Sequence, residues 1–265
     1  MAAAALRLWR PPPVWPPGMV RMWKRDLLLY RRSWKRNVLP NFFEPLLYLL
    51  SIGVGLGLYV GRKILGVDYV DYIAPGLAAA AAMNGAVFET TFNVFVKLRF
   101  AKLYDAVITT PLEPEDVATG ELLWAVTRSL IYGSAFLVVM ASLGYVHFWG
   151  IVFAPAAVAL IGLSFGLIGL VFTALTPTID LFSYFFTLFI TPLFLFSGLF
   201  FPTSRLGAAE PVAWFSPLHH GAELMRGLVL TGHLGSAAGH ALWLLVFCAL
   251  VFPPAINLMR RRLVT

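Results

Sequence analysis

Six apolar runs, at about 41–60, 73–94, 120–144, 151–175, 181–201 and 238–257, limit what this chain can be. Each is near the roughly 20 residues that cross the ~30 Å hydrocarbon core of a bilayer. A segment in lipid must satisfy its own backbone groups, so runs of this length read as helices. Charged residues make up 12% of the chain, against about 25% in ordinary soluble domains. The expected fold is an all-α integral membrane protein with six transmembrane helices.

The net charge of +7 does not gather into a nucleic-acid patch. Nine Lys and Arg lie in 1–40, three in 95–119 and three in 258–265, against two in 61–72 and two in 202–237. This alternation between loops places both the N- and C-termini in the cytoplasm, and an even span count agrees in putting them on one side. The expected organisation is an N-terminal cytoplasmic or interfacial segment (1–40), a transmembrane domain (41–257) and a basic cytoplasmic tail (258–265). MAAAALRLWRPPP meets prolines before an apolar core forms, so no signal peptide is expected. Cys248, the one cysteine, lies in the sixth run and reads as a packing residue.

In the stretch after PPPVWPP, Trp23, Leu27, Tyr30, Trp34 and Val38 share a helical face, and Lys24, Arg31, Arg32, Lys35 and Arg36 crowd the rest. Such an amphipathic helix lies in the headgroup layer. Gly53, Gly57 and Gly61 recur every four residues in the first run and read as a helix-packing stripe. Gly162, Gly166 and Gly169 in the fourth invite the same reading.

Between the second and third runs, Val96, Phe100, Leu103 and Val107 fall within a narrow arc, with Lys97, Lys102 and Asp105 pointing elsewhere. A short amphipathic helix is expected there, ended by Pro111 and followed by a second helix after Pro114 with Glu115 and Asp116 at its positive end. A loop of this kind offers a cytoplasmic surface to a partner. Glu44, Glu89, Glu121 and Arg128 lie near the cytoplasmic ends of spans. They read either as interfacial pairs or as an entry for a polar headgroup.

SPLHHGAELMRGLVLTG, at 216–232, has a helix start at Ser216–Pro217 and a stop at Gly232. About 15 residues give roughly 22 Å, too short to cross the core. The segment is expected to be re-entrant or interfacial on the outer side. His219, Glu223 and Arg226 form a polar stripe, and Glu223 and Arg226 are expected to satisfy each other. A metal shell fits poorly, because Arg226 would repel a dication and compete for Glu223. The stripe reads as an outer gate or a structural tie. The fifth run carries Phe182, Tyr184, Phe185, Phe186, Phe189, Phe194 and Phe196, with Pro192 placed to kink it.

The segment LYDAVITTPLEPEDVATGELLW resembles the stretch after the second span of type-2 ABC exporter permeases. NFFEPLLYLLSIGVGLG, FET at 88–90, TALTPTID, ITPLFLFSGLFFP and SPLHHGAELMRG are similar to the nodulation-type lipo-oligosaccharide exporter (NodJ-like) branch, in order, from about residue 22 onward. Asp105 stands where that family often has Glu. The resemblance implies a homodimer in a bacterial inner membrane, served by two copies of a separate ATPase subunit. It also implies a coupling helix carrying Val96, Phe100, Leu103, Tyr104, Asp105 and Val107, and outward movement of an amphipathic lipid-linked or oligosaccharide cargo, or of a drug. The residues agree with that division of labour. No Gly-x-x-x-x-Gly-Lys loop is present, so no cofactor is expected in this chain and ATP–Mg belongs to the partner. A secondary transporter, or a lipid-modifying membrane enzyme using His219, His220 and Glu223, are the alternatives.

Overall fold

The computed structural model describes residues 7–51, 55, 63–64 and 66–264. Among them every regular element is a helix, and no strand forms beyond one isolated bridge, Ile64 to Val67. α1 runs Pro16–Leu50, α2 Tyr69–Phe88, α3 Leu103–Ile108, α4 Pro114–Ser142 and α5 Ala154–Leu175. Then come α6 (Leu181–Phe185), α7 (Thr191–Phe196), α8 (Glu210–Trp214), α9 (Pro217–Arg226) and α10 (Leu234–Val264). π-helical turns extend several of these elements, at Glu89–Asn93, Val96–Phe100, Phe186–Ile190 and Gly227–Thr231.

Among the described residues, three helical stretches are long and apolar enough to cross a membrane: Pro114–Ser142, Trp149–Leu175 and Leu234–Val264. They match the third, fourth and sixth apolar runs. The second run becomes the 20-residue α2. The fifth gives a shorter apolar helix, Leu181–Phe196, loosened by the π turn that precedes Pro192. The first run falls partly on α1, while Gly53, Gly57 and Gly61 lie outside the described residues.

α1 departs from expectation in two ways. It is one 35-residue helix that continues past residue 40 with no break before the first run. It also packs on α4: Met22 is fully buried, and the Trp23 indole donates to Thr127 Oγ1 at 2.9 Å. The face it buries is Met22, Asp26 and, in part, Trp23 and Tyr30. Trp34, from the expected aromatic seam, stays exposed.

The glycine stripe of the fourth run performs the packing expected of it. A Cβ at Gly162 would run into Ser129, one at Gly166 into Leu122 and one at Gly169 into Thr90. The missing side chains let α5 lie against both α4 and α2. Thr173 Oγ1 then donates to the Thr90 carbonyl at 2.7 Å. This bond ties α5 to the π turn that extends α2.

Candidate functional site

Buried charged and hydrogen-bonded side chains gather at the two ends of the bundle. At the end formed by the loop between α2 and α4, the expected single amphipathic helix is broken in two. Val96–Phe100 is a π turn that continues α2. Ala101 bends, and Lys102 takes the left-handed conformation at φ 46° before α3 begins. Val96 and Phe100 therefore do not share a helix with Leu103 and Val107. The break re-aims the arc: Val96 and Phe100 are exposed, while α3 lays Leu103 and Val107 against the bundle.

Tyr104 anchors α3. Its side chain is wholly buried and its hydroxyl donates to Glu121 Oε1 at 2.9 Å. Lys97 Nζ reaches the other oxygen of Glu121 at 2.7 Å, and also Asp26 at 3.2 Å and Glu89 at 3.5 Å. Arg128 sits 3.5 Å from Glu89 and over the rings of Tyr30 and Tyr132. Asn93 Nδ2 donates to Glu89 at 2.8 Å. Three carboxylates thus face Lys97 and Arg128, joining α1, α2, α3 and α4 in one buried network. Burial pushes the Lys97 ammonium down, but Glu121, Glu89 and Asp26 more than offset it and hold the amine above its ordinary value. Burial pushes the Tyr104 hydroxyl well up, and the Glu121 carboxylate adds to this, so the hydroxyl remains a donor.

Sequence reasoning named Glu89, Glu121 and Arg128 but missed Asp26 and placed Lys97 on the outward face. The signal for Asp26 was there: one acid in the strongly basic stretch 19–38, four residues after Met22 and four before Tyr30. Lys97 is eight residues from Glu89, two turns along nearly one face, a spacing that only a continuous helix gives meaning. The side chain of Glu44 lies outside what the structure describes. The outward face of α3 presents Asp105 and Ala106, followed by Thr109 and Thr110, all exposed. The next helix begins with a full capping box, Glu113 with Asp116.

At the opposite end, α9 begins as expected, with the Ser216 hydroxyl accepting from the His219 N–H. It continues through the π turn Gly227–Thr231 and stops at Gly232, at φ 69°. Arg226 is almost fully buried. Its Nη1 lies 2.6 Å from Glu223 Oε1, and its Nε donates to the Tyr72 carbonyl at 3.0 Å. Its Nη2 donates to the carbonyls of Gly198 and Leu199 at 2.7 and 3.1 Å. The guanidinium carbon lies 3.9 Å from the centre of the Tyr72 ring, and the Tyr72 hydroxyl donates to the Gly198 carbonyl. One arginine thereby ties α9, α2 and the turn after α7. That turn needs donors, because its carbonyls have left the helix without partners.

His219 does not join the Glu223–Arg226 pair by a hydrogen bond; its Nδ1 lies 3.2 Å from the Ser197 carbonyl. His220 and His240 meet through their Nδ1 atoms at 2.8 Å, and the His220 ring stacks on Trp243 with centroids 4.0 Å apart. His240 and Trp243, on the first turns of α10, escaped sequence reasoning because only tertiary packing brings them to α9. Among the described residues no group of three or more His, Cys, Asp and Glu is placed to hold a metal ion.

The aromatics of the fifth run have two kinds of surroundings, linked by the stacked Phe185 and Phe189 rings. Phe182 is fully buried against Phe92, Phe95 and Phe172, and the Phe185 and Phe172 rings stack at 4.2 Å. Phe189, Phe196 and Pro192 instead face a cavity of about 650 Å³, with Phe215 and Phe247 opposite and Ser197 and Ser216 at its polar edge.

Comparison with known proteins gives this arrangement a family. A model of the ABC-2 type transporter family matches residues 18–230, from α1 through α9. Nodulation protein J of Rhizobium leguminosarum bv. viciae is 35% identical over 243 residues, covering 91% of this chain and 93% of that protein. Nodulation protein J of Rhizobium meliloti is 34% identical over 245 residues, covering 92% and 93%. That of Sinorhizobium fredii is 33% identical over 254 residues, covering 96% and 97%. With likeness along nearly the whole chain, and with apolar spans joined by a loop helix anchored in buried charge, the chain belongs to the ABC-2 type transporter family and is a transmembrane permease similar to Nodulation protein J.

Proposed function

We propose that this chain is the membrane subunit of an ATP-driven exporter, works as a homodimer with two copies of a separate ATPase in a bacterial inner membrane, and moves an amphipathic lipid-linked or oligosaccharide cargo outward. The observation that carries this reading is α3. It is a short helix with an exposed face at Asp105 and Ala106, and its only fully buried side chain, Tyr104, ends on Glu121 of a spanning helix. A push on that face reaches α4 through one hydrogen bond, and α1 and α2 through Lys97. ATP binding and hydrolysis on the partner supply the work; this chain supplies two conformations with different affinity for cargo.

His219, Glu223 and Arg226 act as the outer gate in this account. The Arg226 knot holds the outer ends of α2, α7 and α9 together, and release of cargo requires part of it to yield. The aromatic cavity beside Pro192 suits the apolar portion of the cargo, and its serine edge suits the polar portion. The test is co-expression with candidate ATPases. The ATPase should co-purify with the wild-type chain, and Asp105→Lys should reduce its recovery at least fivefold while the permease still reaches the membrane. Equal recovery with Asp105→Lys sinks the role given to α3.

A further inference from the structure

The proline-rich segment before α1 has no part in this mechanism, yet it is held in place. Arg7–Trp9 forms a 3-10 turn, and the chain then runs extended through Trp15. Asn257, near the end of α10, donates from its Nδ2 to the carbonyls of Leu8 and Arg10, both at 2.8 Å. The two hydrogens of one side-chain amide are thus spent on pinning the chain start across the last turns of the final helix. Between strap and helix lies a cavity of about 450 Å³ lined by Arg10, Pro11, Pro13, Asn257, Arg260 and Arg261.

We infer that this cavity is a binding site for the phosphate headgroup of an anionic phospholipid. Arg10, Arg260 and Arg261 line it, and Glu115 holds Arg260 in place, its carboxylate 3.0 Å from Nε. Guanidinium matches phosphate oxygens in a two-pronged geometry that lysine cannot reproduce. Basic residues at a helix C-terminus are also expected for the helix dipole and for orientation. Those effects account for Arg260 and Arg261 but not for Arg10, which comes from the opposite end of the chain and is brought there by Asn257. The site's depth chooses among phosphate ligands. Residues 257–260 lie where the apolar run of α10 gives way to arginines, the level at which a bilayer presents its headgroups. The volume falls within the ~300–1,000 Å³ usual for small-ligand pockets, and the prolines stiffen the rim.

The test uses the purified full-length chain in a neutral detergent, titrated with short-chain phosphatidylglycerol, with phosphatidylcholine and with inorganic phosphate, and read by native mass spectrometry. Phosphatidylglycerol should bind at least tenfold more tightly than phosphatidylcholine, and millimolar inorganic phosphate should not displace it. Arg10→Gln should weaken phosphatidylglycerol binding at least fivefold. Asn257→Ala, which keeps every arginine but releases the strap, should do the same. Lys63→Gln, an exposed charge at the other end of the bundle, should bind as wild type; an equal loss there would mark the attraction as general charge and overturn the site. Wild-type affinity in both Arg10→Gln and Asn257→Ala, or equal affinity for the two lipids, overturns it too. Displacement by inorganic phosphate overturns the lipid assignment and gives the site to a free phosphate. Because Arg10 lies in an extended segment outside the bundle, its variant tests the site even where Asn257→Ala fails to fold.

Discussion

Arg226 makes more contacts with its surroundings than any one interaction type describes: a carboxylate, three carbonyls and a ring. Removing it strands buried acceptors, a change that typically costs several kcal/mol. Arg226→Ala should therefore lower stability by about 3 kcal/mol, read as a fall in the thermal unfolding midpoint of the purified protein. Glu223 is one-third exposed, so Glu223→Gln should cost much less and chiefly alter transport. If the two variants melt together, the knot does not hold the end of the bundle as described. Tyr104→Phe keeps the ring and removes only the hydroxyl on Glu121. It should cost about 2 kcal/mol and, in the assembled complex, leave ATPase binding intact while lowering cargo-stimulated hydrolysis. Loss of ATPase binding with Tyr104→Phe would instead make the hydroxyl a folding element only.

At the scale of elements, α5 depends on absent side chains. Gly169→Val would press two methyls into Thr90 and disturb the Thr173–Thr90 bond, an overpacking change that typically costs about 1–3 kcal/mol. The expected readout is a lower yield of folded protein, with Gly239→Val, which meets open space, as the unaffected comparison. Much of this level was legible in the residues. Length and hydropathy marked α4, α5 and α10, and Ser216 with Gly232 marked the limits of the α9 segment. The break at Ala101–Lys102 was not legible, because Val96, Phe100, Leu103 and Val107 keep a helical period across it. Periodicity records which side chains are apolar, whereas the turn is set by Tyr104 reaching Glu121 in another helix. The same reason hid His240 and Trp243, whose partners lie some twenty residues earlier in the chain. It also hid the burial of Lys97, since a lysine off the apolar arc reads as solvated until the carboxylates of Asp26, Glu89 and Glu121 converge on it.

For the whole molecule, the two ends carry different chemistry. Under α3, three buried carboxylates meet Lys97 and Arg128, and at the opposite end a single arginine ties α9, α2 and the turn after α7. In the proposed function, ATP hydrolysis belongs to a separate partner chain and the movement of the spans to this one. The most direct measurement is uptake of a labelled lipid-linked oligosaccharide into inverted vesicles containing the chain with its ATPase, with and without ATP. Wild type should transport only when both the ATPase and ATP are present, and Asp105→Lys should reduce the rate at least tenfold with the permease present at equal amount. Transport at the full rate by the chain alone, or an Asp105→Lys complex as fast as wild type, would contradict the account.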